Sequence, residues 1–222
     1  MSADFSELRV KMVDGQVRTT DVTSAPLLDA MLVVPREVFV GAAQRDLAYI
    51  DEDIRIATGA DGARYLMEAS PLAKLIQLAE LNLTDSALDV GCGTGYASAI
   101  LSRLAKSVVA LESDSALAET ARSTLSSLGC GNVTVVQGAL SQGHAAQAPY
   151  DVIFVGGSVA EVPAPLLDQL AEGGRLVAVE GQGNSGVARL FFKAGGVVSG
   201  RRAFNAAIKP LPGFERIRAF EF

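Results

Sequence analysis

Apolar side chains in the first forty residues recur at helical intervals. Leu8, Val10, Met12, Val13 and Val17 form one stripe, and Leu27, Leu28, Met31 and Leu32 form a second that starts after Thr23 and Pro26. Positions three and four apart share a helix face, so the spacing predicts two short helices, the second closed by Pro35. Residues 51–62 are acidic and contain glycine, and read as a loop, while residues 71–83 return to a helical pattern. From Ser86 the period changes. Short apolar runs at 87–90, 107–111, 133–137, 152–155 and 175–179 alternate with helix candidates at 95–105, 115–128 and 164–170. Such alternation implies a parallel sheet with right-handed crossovers and helices on both faces. Beyond Val179 two strand-like runs, 187–193 and 197–203, are joined by Ala194, Gly195 and Gly196 and read as a hairpin. The expected fold is α/β: a Rossmann-like doubly wound sheet, mostly parallel, with an antiparallel C-terminal hairpin and an N-terminal helical arm. Residues 1–83 would form the arm and a substrate or lid segment, and residues 84–222 the core, as one compact unit.

Composition narrows the function classes. Of the 222 residues 49% are hydrophobic, yet charges are scattered through every stretch of about twenty residues, too densely for a bilayer span. Asp4 and Glu7 precede any apolar run, unlike the start of a secretion signal. Two cysteines, Cys92 and Cys130, offer neither a disulfide framework nor metal-ligand spacing, so a reducing, cytoplasmic setting and no metal are expected. Any catalytic triad would rest on the single histidine, His144, which reads as a surface-loop residue. A net charge of −6 without a Lys/Arg-rich block argues against a nucleic-acid partner, whose phosphates need neutralising.

The chemistry-bearing motif is Asp89-Val90-Gly91-Cys92-Gly93-Thr94-Gly95-Tyr96, placed where a buried strand gives way to a helix. Open α/β sheets bind ligands there, and bare glycine backbone lets a ligand pack close to free N–H groups. Gly91, Gly93 and Gly95 spell GxGxG, whereas a dinucleotide fingerprint needs a glycine where Tyr96 stands. Glu112 ends the next strand, 112 − 89 = 23 residues after Asp89, where a carboxylate can accept both hydroxyls of a ribose. The combination points to S-adenosylmethionine. Asp89 would brace the loop or meet the methionine ammonium, and Ser113 would flank the ribose acid. After the third strand, Gly138-Ala139 holds alanine where methyltransferases often place an adenine-binding Asp, leaving backbone N–H groups or Gln137 for that contact. Gly156-Gly157-Ser158 ends the fourth strand, and its small residues would leave room beside the methyl group.

Three blocks resemble the protein-L-isoaspartate O-methyltransferases, class I S-adenosylmethionine-dependent enzymes. They are residues 12–18 leading to Val34-Pro35-Arg36-Glu37-Val38-Phe39-Val40, then residues 88–96, then residues 150–155 with Gln169-Leu170 and residues 173–177. The first is the specific one, because cofactor loops like the second occur across many methyltransferases. The resemblance implies methylation of the α-carboxylate of isoaspartyl residues in damaged proteins or peptides. One departure stands out. The family's Gly-x-Thr-hydrophobic-Ser-x-Pro segment, aligned on Pro71, becomes Met67-Glu68-Ala69-Ser70-Pro71, so the hydroxyls that would meet the substrate carboxylate are absent at Met67 and Ala69. Ser70, after a one-residue shift, and Arg64, through a charge-assisted pair, are the candidate catalytic replacements. The alternatives are a methyltransferase with a small-molecule acceptor such as another carboxylate, or a noncatalytic cofactor-binding regulatory protein.

Overall fold

The computed structural model describes residues 4–59 and 62–214. Helix α1, Phe5–Met12, starts at Asp4, whose carboxylate accepts from the N–H groups of Ser6 and Glu7 at 3.0 and 3.2 Å. That capping satisfies donors a helix start otherwise leaves bare. The chain runs on through a π-helical turn, Val13–Val17, and a short 3₁₀ turn, Arg18–Thr20. Helix α2, Ala25–Val33, carries Pro26 in its first turn and is capped from outside: Gln77 Oε1 accepts from the N–H groups of Thr23 and Ser24 at 2.7 and 3.0 Å.

Where the sequence reads as an acidic loop, the chain instead forms an antiparallel hairpin of β1, Ile54–Gly59, and β2, Gly62–Leu66. Ile54, Arg64 and Leu66 are buried while Arg55 and Thr58 face water, a period-two pattern that the neighbouring acids and glycines obscure. Helix α3, Ala69–Leu78, follows, beginning earlier and ending sooner than the pattern predicts.

The central sheet is built from β3 (Ser86–Val90), β4 (Ser107–Glu112), β5 (Val133–Gln137), β6 (Tyr150–Val159), β7 (Leu170–Glu180), β8 (Val187–Ala194) and β9 (Val197–Asn205). Their order is β5-β4-β3-β6-β7-β8-β9. The first five in sequence pair in parallel; β8 joins β7, and β9 joins β8, antiparallel. The crossovers carry α4 (Tyr96–Leu101), α5 (Ser115–Ser127) and α6 (Ala164–Asp168). This is the expected Rossmann-like sheet with its antiparallel C-terminal hairpin.

Strand alternation divides the core. Ala87, Val108, Ala110, Val152, Phe154, Val177 and Val179 pack on the face that also receives the arm, α3, α4 and α5. Leu88, Val90, Val109, Leu111, Ile153, Val155 and Leu176 pack on the other, under α6 and Leu211. Met12, Val13, Val17, Leu27, Met31 and Phe39 of the arm are at most 1% exposed in that first cluster, so the arm is continuous with the sheet's own core. No described helix is long and apolar enough to cross a membrane.

Candidate cofactor and acceptor site

Strand β3 lies between β4 on one side and β6 on the other, so its C-terminal end is where the strand order reverses. The glycine turn sits there. Gly91 and Gly93 take φ of 83° and 58°, conformations that side chains resist, and the turn delivers Tyr96 to the start of α4. Asp89, at 0% exposure, accepts from Ser98 Oγ at 2.5 Å through Oδ2, while its Oδ1 has no hydrogen-bond partner among the described residues. Burial pushes its carboxyl up to about 7; the Ser98 hydrogen bond opposes that, Glu112 adds to it and Arg64 offsets it.

Glu112 is also 0% exposed. Its Oε2 accepts from Gly93 N–H at 2.8 Å, and its Oε1 from the N–H groups of Ser113 and Asp114 at 2.8 and 3.1 Å. Both oxygens are in addition gripped by Arg64 from β2, Nη1 to Oε1 at 2.5 Å and Nη2 to Oε2 at 2.8 Å, with Nη2 reaching Gly91 O at 3.1 Å. The guanidinium predicted to hold a substrate carboxylate is thus committed to the acid predicted to hold the ribose. Ser70 goes elsewhere, its hydroxyl donating to Thr20 Oγ1 at 3.0 Å.

The other expected ligands divide between the loop and the arm. Thr94 Oγ1 donates to Phe39 O at 2.7 Å. The Tyr96 ring packs edge-on to Phe39, centroids 5.4 Å apart, with the Arg36 guanidinium 4.8 Å from its centroid. Cys92 is buried, which pushes its thiol well up and keeps it neutral. Gly138 N–H donates to Glu112 O at 3.0 Å, Ala139 is exposed, and Gln137 Nε2 reaches Ser113 O at 3.4 Å. The space that Gly156 and Gly157 open is filled by the chain itself. A Cβ on Gly156 would stand 3.0 Å from Gly91 O, and one on Gly157 3.0 Å from Leu211 Cβ. Residues 209–211 are pinned there by Ser158 N–H to Lys209 O and Leu211 N–H to Ser158 O, at 2.9 and 2.8 Å.

Sequence reasoning missed Arg36, Ile56 and Leu211. Arg36 is 0% exposed and ties Ala48 O and Met67 O, each at 2.7 Å, so one side chain joins the arm, the segment after β2 and the Tyr96 ring. Its signal was its place in the family-specific block 34–40. Ile56 and Leu211 stand over the turn: a Cβ on Gly93 would meet Ile56 Cδ1 at 2.9 Å, and one on Gly91 would meet Leu211 Cδ1 at 2.5 Å.

As a donor set these residues suit an adenosyl cofactor: a glycine turn with bare backbone, a strand-end carboxylate with two oxygens side by side, and an unpartnered Asp89 oxygen. The remaining cavity, lined by Ile56, Met67, Gly91, Cys92 and Gly156 among others, measures about 30 Å³, room for a single water. Among the described residues no group of three or more His, Cys, Asp or Glu is placed to hold a metal.

Sheet order, glycine turn and strand-end acid together define the class I methyltransferase fold. The model of the protein-L-isoaspartate(D-aspartate) O-methyltransferase family matches residues 9–213. The chain belongs to that family. It is 39% identical over 173 residues to a protein-L-isoaspartate O-methyltransferase of Koribacter versatilis, covering 78% of this chain and 76% of the relative. It is 37% identical over 210 residues to one of Roseiflexus castenholzii, covering 95% and 94%. A solved protein-L-isoaspartate O-methyltransferase superposes with a TM-score of 0.81 at 27% identity, over 93% of this chain and 67% of its own. A Plasmodium falciparum beta-aspartate methyltransferase in complex with S-adenosyl-L-homocysteine shares the fold, with a TM-score of 0.78 at 21% identity over 96% of this chain and all of its own.

Proposed function

We propose that this chain is an S-adenosylmethionine-dependent O-methyltransferase acting on the α-carboxylate of isoaspartyl residues in proteins or peptides. The observation that carries this reading is Glu112, a fully buried carboxylate at the end of β4 whose Oε2 accepts from Gly93 N–H of the glycine turn and whose Oε1 accepts from the N–H groups of Ser113 and Asp114. Family membership supplies the acceptor class. Glu112 would hold the ribose hydroxyls, the turn 91–95 the backbone-facing part of the cofactor, and Asp89 its ammonium. The bound cofactor would supply an activated methyl group on a sulfonium, whose transfer to the acceptor oxygen would leave a neutral ester and a thioether.

Such a reaction asks this chain for little acid or base chemistry, because a carboxylate is already a nucleophile. It asks for alignment and a dry site, an orientation effect worth several kcal/mol. Met67, Ile56 and Leu211 provide the apolar surround. What is missing is a hydroxyl donor for the acceptor carboxylate: Met67 and Ala69 have none, and Ser70 is turned to Thr20. Transfer to isoaspartyl peptides is therefore expected to be slow. The same absence favours a second reading, in which fold and cofactor site persist but the acceptor is a smaller carboxylate. Incubation with radiolabelled S-adenosylmethionine and an isoaspartyl peptide, beside its ordinary aspartyl twin, separates the two. Label in the isoaspartyl peptide alone supports the repair activity; label in neither, from a protein that binds the cofactor product, overturns it in favour of a changed acceptor or a noncatalytic regulatory role.

A further inference from the structure

We infer that Arg64 is a competitor for the ribose-binding carboxylate, and that the β1–β2 hairpin carrying it is a latch which cofactor binding has to release. This rests on the proposed S-adenosylmethionine site and adds how that site is guarded. A guanidinium presents two parallel N–H donors to the two oxygens of a carboxylate, the same demand that two vicinal ribose hydroxyls make. Arg64 makes that contact at 2.5 and 2.8 Å, and its pair with Glu112 is 8% and 0% exposed. Both cannot hold the same two oxygens.

A merely structural strut would be expected to supply something its partner lacks. Glu112 lacks nothing, since the backbone N–H groups of Gly93, Ser113 and Asp114 already stabilise its charge. Arg64's third contact is also with the turn, at Gly91 O. The rest of the hairpin follows the same geometry, Ile56 lying against Gly93. A guanidinium and an apolar side chain from one hairpin therefore cover the carboxylate and the glycine turn that an adenosyl cofactor would use. The roughly 30 Å³ left beside them falls short of the ~300 Å³ or more that small-ligand sites occupy. The frame of the site is formed, and its occupant is the chain's own hairpin.

Calorimetric titration of S-adenosylhomocysteine into the wild type, Arg64→Met and Arg64→Lys tests this. Methionine fills similar space without the fork, so Arg64→Met is expected to bind at least tenfold more tightly than the wild type. Lysine keeps the charge but donates from a single point, so Arg64→Lys is expected to gain at least threefold, and it decides the matter if Arg64→Met does not fold. Equal or weaker binding by the folded variants, with measurable binding by the wild type, overturns the latch and leaves the cofactor reading standing. Absence of binding in all three proteins overturns both.

Discussion

Asp89 should make the folded state less stable as pH rises through neutrality, and Asp89→Asn should remove that dependence. Its carboxyl is fully buried, with one oxygen unpartnered, and is pushed up from 3.8 to about 7 chiefly by that burial. A folded-state value above the unfolded one means the folded protein binds the proton more tightly. The stabilisation is then complete below pH 3.8 and is lost as pH rises through about 7. At 1.36 kcal/mol per unit, a difference of about three units amounts to ~4 kcal/mol, of which about 2–3 kcal/mol falls above pH 5. The assay is urea unfolding at intervals from pH 5 to 8.5 for both proteins, comparing slopes rather than absolute stabilities because asparagine also changes the contact with Ser98. Glu68, pushed up to about 7 by burial and by Asp51, titrates in the same window with the same sign, but does so in both proteins and cancels in the comparison. Identical pH slopes for the wild type and Asp89→Asn would refute the reasoning.

Arg36→Met should lower stability by about 2–4 kcal/mol in urea unfolding, since it leaves the carbonyls of Ala48 and Met67 without their buried donor; a loss under ~1 kcal/mol would show that the carbonyls find other partners. Thr94→Val keeps the branched shape and deletes only the donor to Phe39 O, for an expected loss of about 1–2 kcal/mol by the same measurement, and no change would mean the arm does not depend on that bond. Removal of residues 1–40 strips Met12, Val13, Leu27, Met31 and Phe39 from the core and should give an aggregating protein by size-exclusion chromatography; a soluble, folded truncation would contradict the continuity of that core.

The strands and the glycine turn were legible because they are written locally. A run such as 87–90 followed by GxGxG carries its own period and its own breaker, and Glu112 is found by counting along the chain. The β1–β2 hairpin was missed although Ile54 and Ile56 alternate with Arg55, because three consecutive acids before it and the glycines at its tip dominate a short window. Arg64 was singled out for a charge-assisted pair with a carboxylate, and the carboxylate it meets in the structure is Glu112. Its partner lies 48 residues away and meets it only through tertiary packing. Gly156 and Gly157 show the same limit from the other side. Sequence says that a side chain is absent there, and only the fold says that the vacated space belongs to the backbone of Gly91 and to Leu211.

How far the hairpin can move is set at its feet. Glu68 N–H donates to Asp53 Oδ1 at 2.9 Å, closing the base, and Arg36 holds Met67 O. Release of Arg64 would then be a swing of β1 and β2 about these two contacts rather than a detachment of the arm. Removing one partner of a buried ion pair commonly costs about 3–5 kcal/mol because the other charge is left unpaired. In a swing the accounting differs, since ribose hydroxyls would take over the Glu112 oxygens while the guanidinium reaches water. The net cost is then a fraction of that figure, yet any cost shrinks the competent population and weakens apparent affinity by the same factor. A residue of only ~1.4 kcal/mol already gives tenfold. That is why the gain expected on replacing Arg64 is set as a lower bound, and why a latch of this kind can slow the site's loading without abolishing it.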